Sequence, residues 1–179
     1  MRRVSISKNC IQYSECSGAI YRTFLKGKQM ERSLVIIKPD GVCKRVVGEV
    51  VRRFEKEGFK IRAMKMTQLT KEKAEEFYAV HKEQYFFPGL IKFMLTAPSV
   101  VMVVEGENAI KRVRDMIGAR VPKEAEKGTI RGDFGADGRR NIVHSSDSKE
   151  TAEFEINCFF KPDEILSYNE EDWLNSEPG

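Results

Sequence analysis

The sequence predicts an α/β chain of the α+β type, a split β-α-β arrangement in which helices lie on an antiparallel sheet. Three observations predict it. Short apolar runs suited to strands alternate with stretches whose apolar residues recur at helical spacing. The alternation reads strand, helix, strand, helical pair, strand, helix, loop, short strand, helix. The loop, residues 119–140, is long, polar and Gly-rich.

The elements follow in order. "SLVIIK", Ser33 to Lys38, is an apolar run ending at "PDG", a strand stopped by a turn. Val46, Val47, Val50, Val51 and Phe54 recur at helical spacing, and Gly58 stands where a helix C-cap belongs. "FKIRAMKM" alternates like a half-buried strand. Thr70 is placed to cap a helix beginning "KEKAEEFYAV", and "GLIKFML" continues as a second helix. "SVVMVVEG" is the most strand-like run in the chain. Ala109, Ile110, Val113, Met116 and Ile117 form another helical stripe, closed by Gly118. Residues 119–140 hold too little hydrophobic material for core, and loops of that length in compact domains are commonly functional. "NIVH" is short and extended. "SSDSKETAEFEINCFF" reads as a helix with Asp147 and Glu150 at capping-box spacing.

A chain of 179 residues suits one domain, and folding at that size buries roughly 70% of the unfolded surface. No apolar run approaches the ~20 residues that span a bilayer, so a membrane helix is excluded. The net charge is +4, but residues 1–29 alone carry +5. Arg2, Arg3, Lys8, Arg22, Lys26 and Lys28 stand there against Glu15. The remainder, residues 30–179, is near neutral and forms the expected domain, so charge gives no argument for a nucleic-acid partner. Residues 1–29 lack periodicity. They read as a disordered tail, as a basic, Ser-rich targeting peptide, or as a segment not translated if synthesis starts at Met30. Cys10, Cys16, Cys43 and Cys158 have no zinc-ligand or CxxC spacing, and read as reduced thiols of a cytoplasmic protein.

No GxxxxGK[ST] or GxGxxG is present, so any phosphate site must be built from converging cations. Lys38, Arg114, Arg131 and the amide Asn141 come from four distant segments. Taken singly, each cation is most simply a solvated surface charge. Lys38 and Arg131 sit in Gly/Pro-punctuated turns, where sites are commonly built. In "YFFPGL", Phe86 and Phe87 suit either a core pair or a stacking platform for a base. Tyr78 suits the core equally well. His144, one of two histidines, stands at the end of "NIVH". Glu155 could reach back to Ser146 and His144, the way an imidazole nucleophile is oriented, or lie on the surface of an amphipathic helix. His81, on a helix end, is read as outside this group.

The set "IIKPDGV", "RFEKEGF", "FFPGLIKFM", "GTIRGDF" and "NIVHSSDS", in this order, resembles the nucleoside diphosphate kinase family from about Glu31 to Trp173. The resemblance implies a ferredoxin-like split βαββαβ sheet assembled into hexamers or tetramers. It implies ping-pong transfer of the γ-phosphoryl group of a nucleoside triphosphate to a nucleoside diphosphate. His144 matches the family's nucleophile, phosphorylated on its pros nitrogen. Neutral imidazole is available for that task at pH 7 without a separate base. Ser146 and Glu155 match the pair that fixes it. Lys38, Arg114 and Arg131 match the phosphate-binding cations, and positioning with charge neutralisation is most of what phosphoryl transfer asks of a protein. Asn141, with Lys38, matches the contact to the sugar hydroxyl. Phe86 matches the ring that stacks on the base, Leu90 lines the same cleft, and Tyr78 lies close to the transferred phosphate. Mg2+ is the implied cofactor, with no direct protein ligand and Asp147 touching it at most through water. A base held by its π-face implies broad base specificity.

Two positions depart from the family's pattern. A Gly-X-Thr-X-Pro loop reads "GARVP", with Arg120 in place of Thr, and "GRN" reads "RRN", with Arg139 in place of Gly. Arg120 is expected to contact a nucleotide phosphate, because a guanidinium is a charged, forked donor.

Overall fold

The structure is a computed structural model that describes residues 30–175. The basic segment 1–29, with Cys10 and Cys16, and residues 176–179 lie outside the described residues. Among the described residues four strands form one sheet: β1 (Met30–Ile37), β2 (Lys60–Thr67), β3 (Ser99–Glu107) and β4 (Val143–Ser145), in the order β2-β3-β1-β4. All three pairings are antiparallel. The predicted α+β sheet with covering helices is the observed one.

Among the described residues seven α-helices accompany it: α1 (Pro39–Cys43), α2 (Val47–Lys56), α3 (Lys71–Phe77), α4 (Phe87–Met94), α5 (Ala109–Ile117), α6 (Ile130–Phe134) and α7 (Lys149–Phe159). They cover both faces. Leu34 and Ile36 point toward Ala74 and Phe77 of α3, Ile91 and Met94 of α4, and Ile156 and Phe159 of α7. Val35 and Ile37 point toward Val50 and Phe54 of α2 and the buried stripe of α5. A strand buried on both faces needs apolar residues at successive positions, which is why β1 reads "LVII" without alternation. Thr70 caps α3 as expected, its Oγ1 accepting the Lys73 amide at 3.2 Å. Gly58, just beyond α2, takes φ +78°, the left-handed conformation that glycine adopts without a Cβ penalty.

Four details differ from the sequence reading. β1 starts at Met30, three residues early, because Met30, Glu31 and Arg32 pair with Glu107, Gly106 and Glu105 of β3. "PDG" is not a turn but the start of α1, with Pro39 at a first-turn position where its missing N–H costs nothing. Residues 119–140 contain a 3-10 turn, Pro122–Glu124, and helix α6, whose Ile130 is fully buried in the core. The capping box of α7 is Ser148 with Thr151, not Asp147 with Glu150. The helix starts one residue later than that spacing implies. Ser148 Oγ accepts the Thr151 amide at 3.1 Å, Thr151 Oγ1 accepts the Ser148 amide at 2.9 Å, and Asp147 accepts the Thr151 hydroxyl.

The approach to β4 is strained. Ile142 sits at φ +72°, rare for a β-branched residue, in a three-residue turn where the Val143 amide donates to the Asn141 carbonyl at 2.8 Å. Two contacts from the β1–α1 junction hold it. The Lys38 amide donates to the Ile142 carbonyl at 2.8 Å, and Asp40 Oδ2 accepts the Ile142 amide at 2.9 Å. Gly41 lets the segments close up, since a Cβ there would lie 2.7 Å from Ile37 Cγ2 and 3.1 Å from Ile142 Cγ2. Asp40→Ala is therefore expected to leave a part-buried amide unpaired and to lower stability by about 1–3 kcal/mol. Urea unfolding measures this, and an unchanged midpoint would show that the turn holds without Asp40.

Candidate active site

β4 is three residues long, and its centre is His144, paired across to Ile36. This register turns the imidazole to the face covered by α3 and α7. There the Phe77 ring meets it edge-on at 5.2 Å between centroids, and the Tyr78 ring at 6.2 Å. From α7, Glu155 Oε1 lies 2.8 Å from His144 Nε2, while Glu155 Oε2 accepts the Ser146 hydroxyl at 2.6 Å. Ser146 is fully buried and its Oγ also accepts the Leu34 amide of β1 at 3.0 Å. Sheet, strand end and helix thus fix one carboxylate, and the carboxylate fixes the ring. With Nε2–H donated to Glu155, the lone pair is on Nδ1, the pros nitrogen. Nδ1 has no hydrogen-bond partner among the described residues.

The Tyr78 hydroxyl is buried without a partner among the described residues, and burial, then the Glu155 charge, push its ionisation upward, so it stays a neutral phenol. His81, read as outside the group, lies within it. Its ring stacks on Tyr78 at 6.5 Å and tilts over Phe86 at 5.6 Å. The three-residue spacing of Tyr78 and His81 was the available signal, hidden because the segment is a 3-10 turn and not a helix end.

The cations gather beside this group. Lys38, at the N-terminus of α1, is 5% exposed and its Nζ donates to Asn141 Oδ1 and to the Arg139 carbonyl. Asn141 is buried too, its Nδ2 donating to the carbonyls of Arg120 at 2.8 Å and Gly138 at 3.2 Å. The Arg131 guanidinium donates to the carbonyls of Gly118 and Val143, each at 3.0 Å, and its buried Nε has no partner among the described residues. Arg131 is pushed down to about 10, first by burial and then by the charges of Arg114 and Arg120. Arg114 is exposed on α5. Asp147 is exposed beyond β4, its carboxyl held below the usual range chiefly by the Thr151 hydroxyl, with help from Arg114 and His144. Phe86 is half-buried at the N-terminus of α4, and Leu90, one turn on, packs against the core. Every residue of the expected set is thereby linked to another member by contact or by charge, Leu90 through its amide, which donates to the Phe86 carbonyl at 2.9 Å. Arg120 and Arg139 both reach toward α4. The Arg120 guanidinium lies over the Phe86 ring, and the Arg139 guanidinium occupies the space a Cβ on Gly89 would need.

Burial lowers Lys38 from 10.5 to about 8, against the opposing pull of Asp40. The sign follows directly. Below about pH 8 the folded protein carries the full cost of a buried ammonium. Between about 8 and 10.5 the unfolded chain holds a proton that the folded one has lost, so stability rises with pH across that window. A bound phosphate reverses the shift by favouring the charged form. Diphosphate affinity is therefore expected to fall as pH rises above about 8, by up to about tenfold per unit, with proton uptake on binding. Calorimetry in buffers of different ionisation enthalpy measures the uptake. Affinity that stays flat from pH 7 to 9.5 contradicts it.

Among the described residues no group of three or more His, Cys, Asp or Glu side chains could hold a metal ion, and no helix is long and apolar enough to cross a membrane. Cys43 and Cys158 are free. Residues 31–165 match the family model described as nucleoside diphosphate kinase. A nucleoside diphosphate kinase from Archaeoglobus fulgidus is 53% identical over 150 residues, covering 83% of this chain and 99% of that protein. The crystal structure of the Aquifex aeolicus nucleoside diphosphate kinase superposes with a TM-score of 0.76 at 48% identity, covering 77% of this chain and all of that one. A halophilic nucleoside diphosphate kinase from Halobacterium salinarum, solved in complex with CDP, gives 0.77 at 38% identity, covering 83% and 100%.

Proposed function

The chain belongs to the nucleoside diphosphate kinase family, phosphotransferases that move the γ-phosphoryl group of a nucleoside triphosphate to a nucleoside diphosphate, and from that premise we propose how its own residues carry the reaction. His144 Nδ1 attacks the γ-phosphorus, the bond to the β,γ-bridging oxygen breaks, and the diphosphate leaves. A second diphosphate then attacks the phosphohistidine and recovers the free imidazole. The observation that carries this reading is the 2.8 Å contact of Nε2 with Glu155, which leaves Nδ1 as the nucleophilic nitrogen. Ser146 and Glu155 orient the ring and do not touch substrate.

Lys38, Arg114 and Arg131 neutralise the phosphates. Arg131 suits this role because its guanidinium is already held by two carbonyls while burial leaves its charge short of counterions. Lys38 and Asn141, already bonded to each other, take the sugar hydroxyl. Tyr78 keeps an unpartnered hydroxyl near the transferred group. Phe86 and Leu90 offer the base a flat aromatic and an aliphatic surface, which supports broad base specificity. Mg2+ would accompany the nucleotide and would supply charge neutralisation to its phosphates. The residue placed to hold it would be Asp147, through water. The catalytic unit is the domain from residue 30 onward, in a reducing, cytoplasmic setting that the free thiols support. It works as a homo-oligomer, a hexamer or tetramer, supported by the edge position of β2 and the exposure of Met64 and Met66 on it.

Incubation with γ-labelled ATP and Mg2+ tests the reading. An acid-labile, alkali-stable label should form on the protein and be chased off by a second diphosphate. Nucleotide binding with no such label would mark a binding protein of the same fold.

A further inference from the structure

Arg120 stands between two parts of the site. Its backbone is fixed, since Asn141 Nδ2 donates to its carbonyl at 2.8 Å. Its side chain crosses to α4, where Cζ lies over the Phe86 ring, 5.4 Å from the centroid. His81 and Tyr85 flank that ring, each at 5.6 Å. Arg120 has no carboxylate partner among the described residues, so in the free protein the ring is what holds its guanidinium. The same guanidinium acts electrostatically on both Lys38 and Arg131. One exposed cation therefore has two partners to choose between, an aromatic face and whatever anion the other cations collect.

We propose that Arg120 is a gate on the base platform that phosphate opens, and so sets discrimination by phosphate content. This rests on the reading that Phe86 stacks the base. A nucleoside without phosphate must displace the guanidinium from the ring and gives it nothing in return. A nucleoside diphosphate displaces it equally but supplies phosphate oxygens, to which a forked, charged donor bonds more strongly than to a ring. The residue thus penalises the bare nucleoside and rewards the diphosphate. The Thr that the family usually places here has neither the length to cover the ring nor a charge to lose.

The experiment is equilibrium binding of adenosine and of ADP to the full chain, to Arg120→Thr and to Phe86→Ala. Contacts of this kind at exposed positions are modest, so Arg120→Thr should bind adenosine about two- to fivefold more tightly. ADP should bind about tenfold more weakly, with the loss shrinking at high salt. Opposite signs for the two ligands are the signature. No gain in adenosine binding, or a change in the same direction for both, rejects the gate. The platform fails separately: Phe86→Ala with unchanged adenosine binding would remove the stacking role whatever Arg120 does. A same-direction result with Phe86→Ala weakened leaves the platform standing and overturns the gate alone.

Discussion

His144→Ala is expected to abolish phosphotransfer while the protein still folds and still binds nucleotide. The ring packs edge-on against Phe77 and Tyr78 but is part-exposed, so its loss opens no sealed cavity and costs little stability. On the proposed reading nucleotide affinity rests on Lys38, Asn141, Arg131 and the platform, none of which leans on the imidazole for a hydrogen bond. Turnover should drop by about 10⁴-fold or more, as when other covalent nucleophiles are removed. The measurement is steady-state transfer beside ADP binding, with the acid-labile label as a second readout. Near-normal transfer, or a label that persists on the variant, would reassign the nucleophile.

Glu155→Ala gives the second large effect, and its character differs. The carboxylate touches His144 and Ser146 and none of the phosphate-binding cations. Its removal frees the ring to rotate and frees the proton to sit on either nitrogen. A neutral imidazole with its proton on Nδ1 cannot attack through that atom. A loss of about 10²-fold in turnover is expected, about 2.7 kcal/mol of barrier, with the Michaelis constant little changed. Glu155→Gln keeps an oxygen acceptor for one partner at a time and should lie between the two. If binding and rate fell together for Glu155→Ala, the residue would be a direct substrate contact and the orienting role would be lost.

Much of the frame was legible because its elements are long enough to show a period. The stripes of α2 and α5 and the run of β3 declare themselves within a dozen residues. What stayed hidden has physical reasons. Five-residue helices such as α1 and α6 have no period to display, and Ile130 and Phe134 are the whole apolar content of a helix set in a polar stretch. The polar start of β1 is a strand only because β3 pairs with it some 75 residues later. In the site, the motif "NIVHSSDS" marked His144 and Ser146, and the resemblance supplied roles for the distant cations. Neither could show Asp40 reaching Ile142 across 102 residues, nor a guanidinium laid on Phe86. Long-range contacts between polar side chains leave no local pattern, and Arg120 departs from the family at the position where its contact is most consequential.

The turn at Ile142 has a bearing on tolerance to error. The main chain of Lys38 and the side chain of Asp40 both grip that one residue, with Asn141 just before it and Val143 and His144 just after. The ammonium proposed to meet the nucleotide and the ring proposed to receive the phosphoryl group are therefore surveyed from a single datum. Thermal drift or a distant mutation that shifts the datum carries both along, and their separation survives. The price is that the two cannot be tuned apart: a substitution that moves one relative to the other must first break the shared reference, and then both coordinates are lost at once.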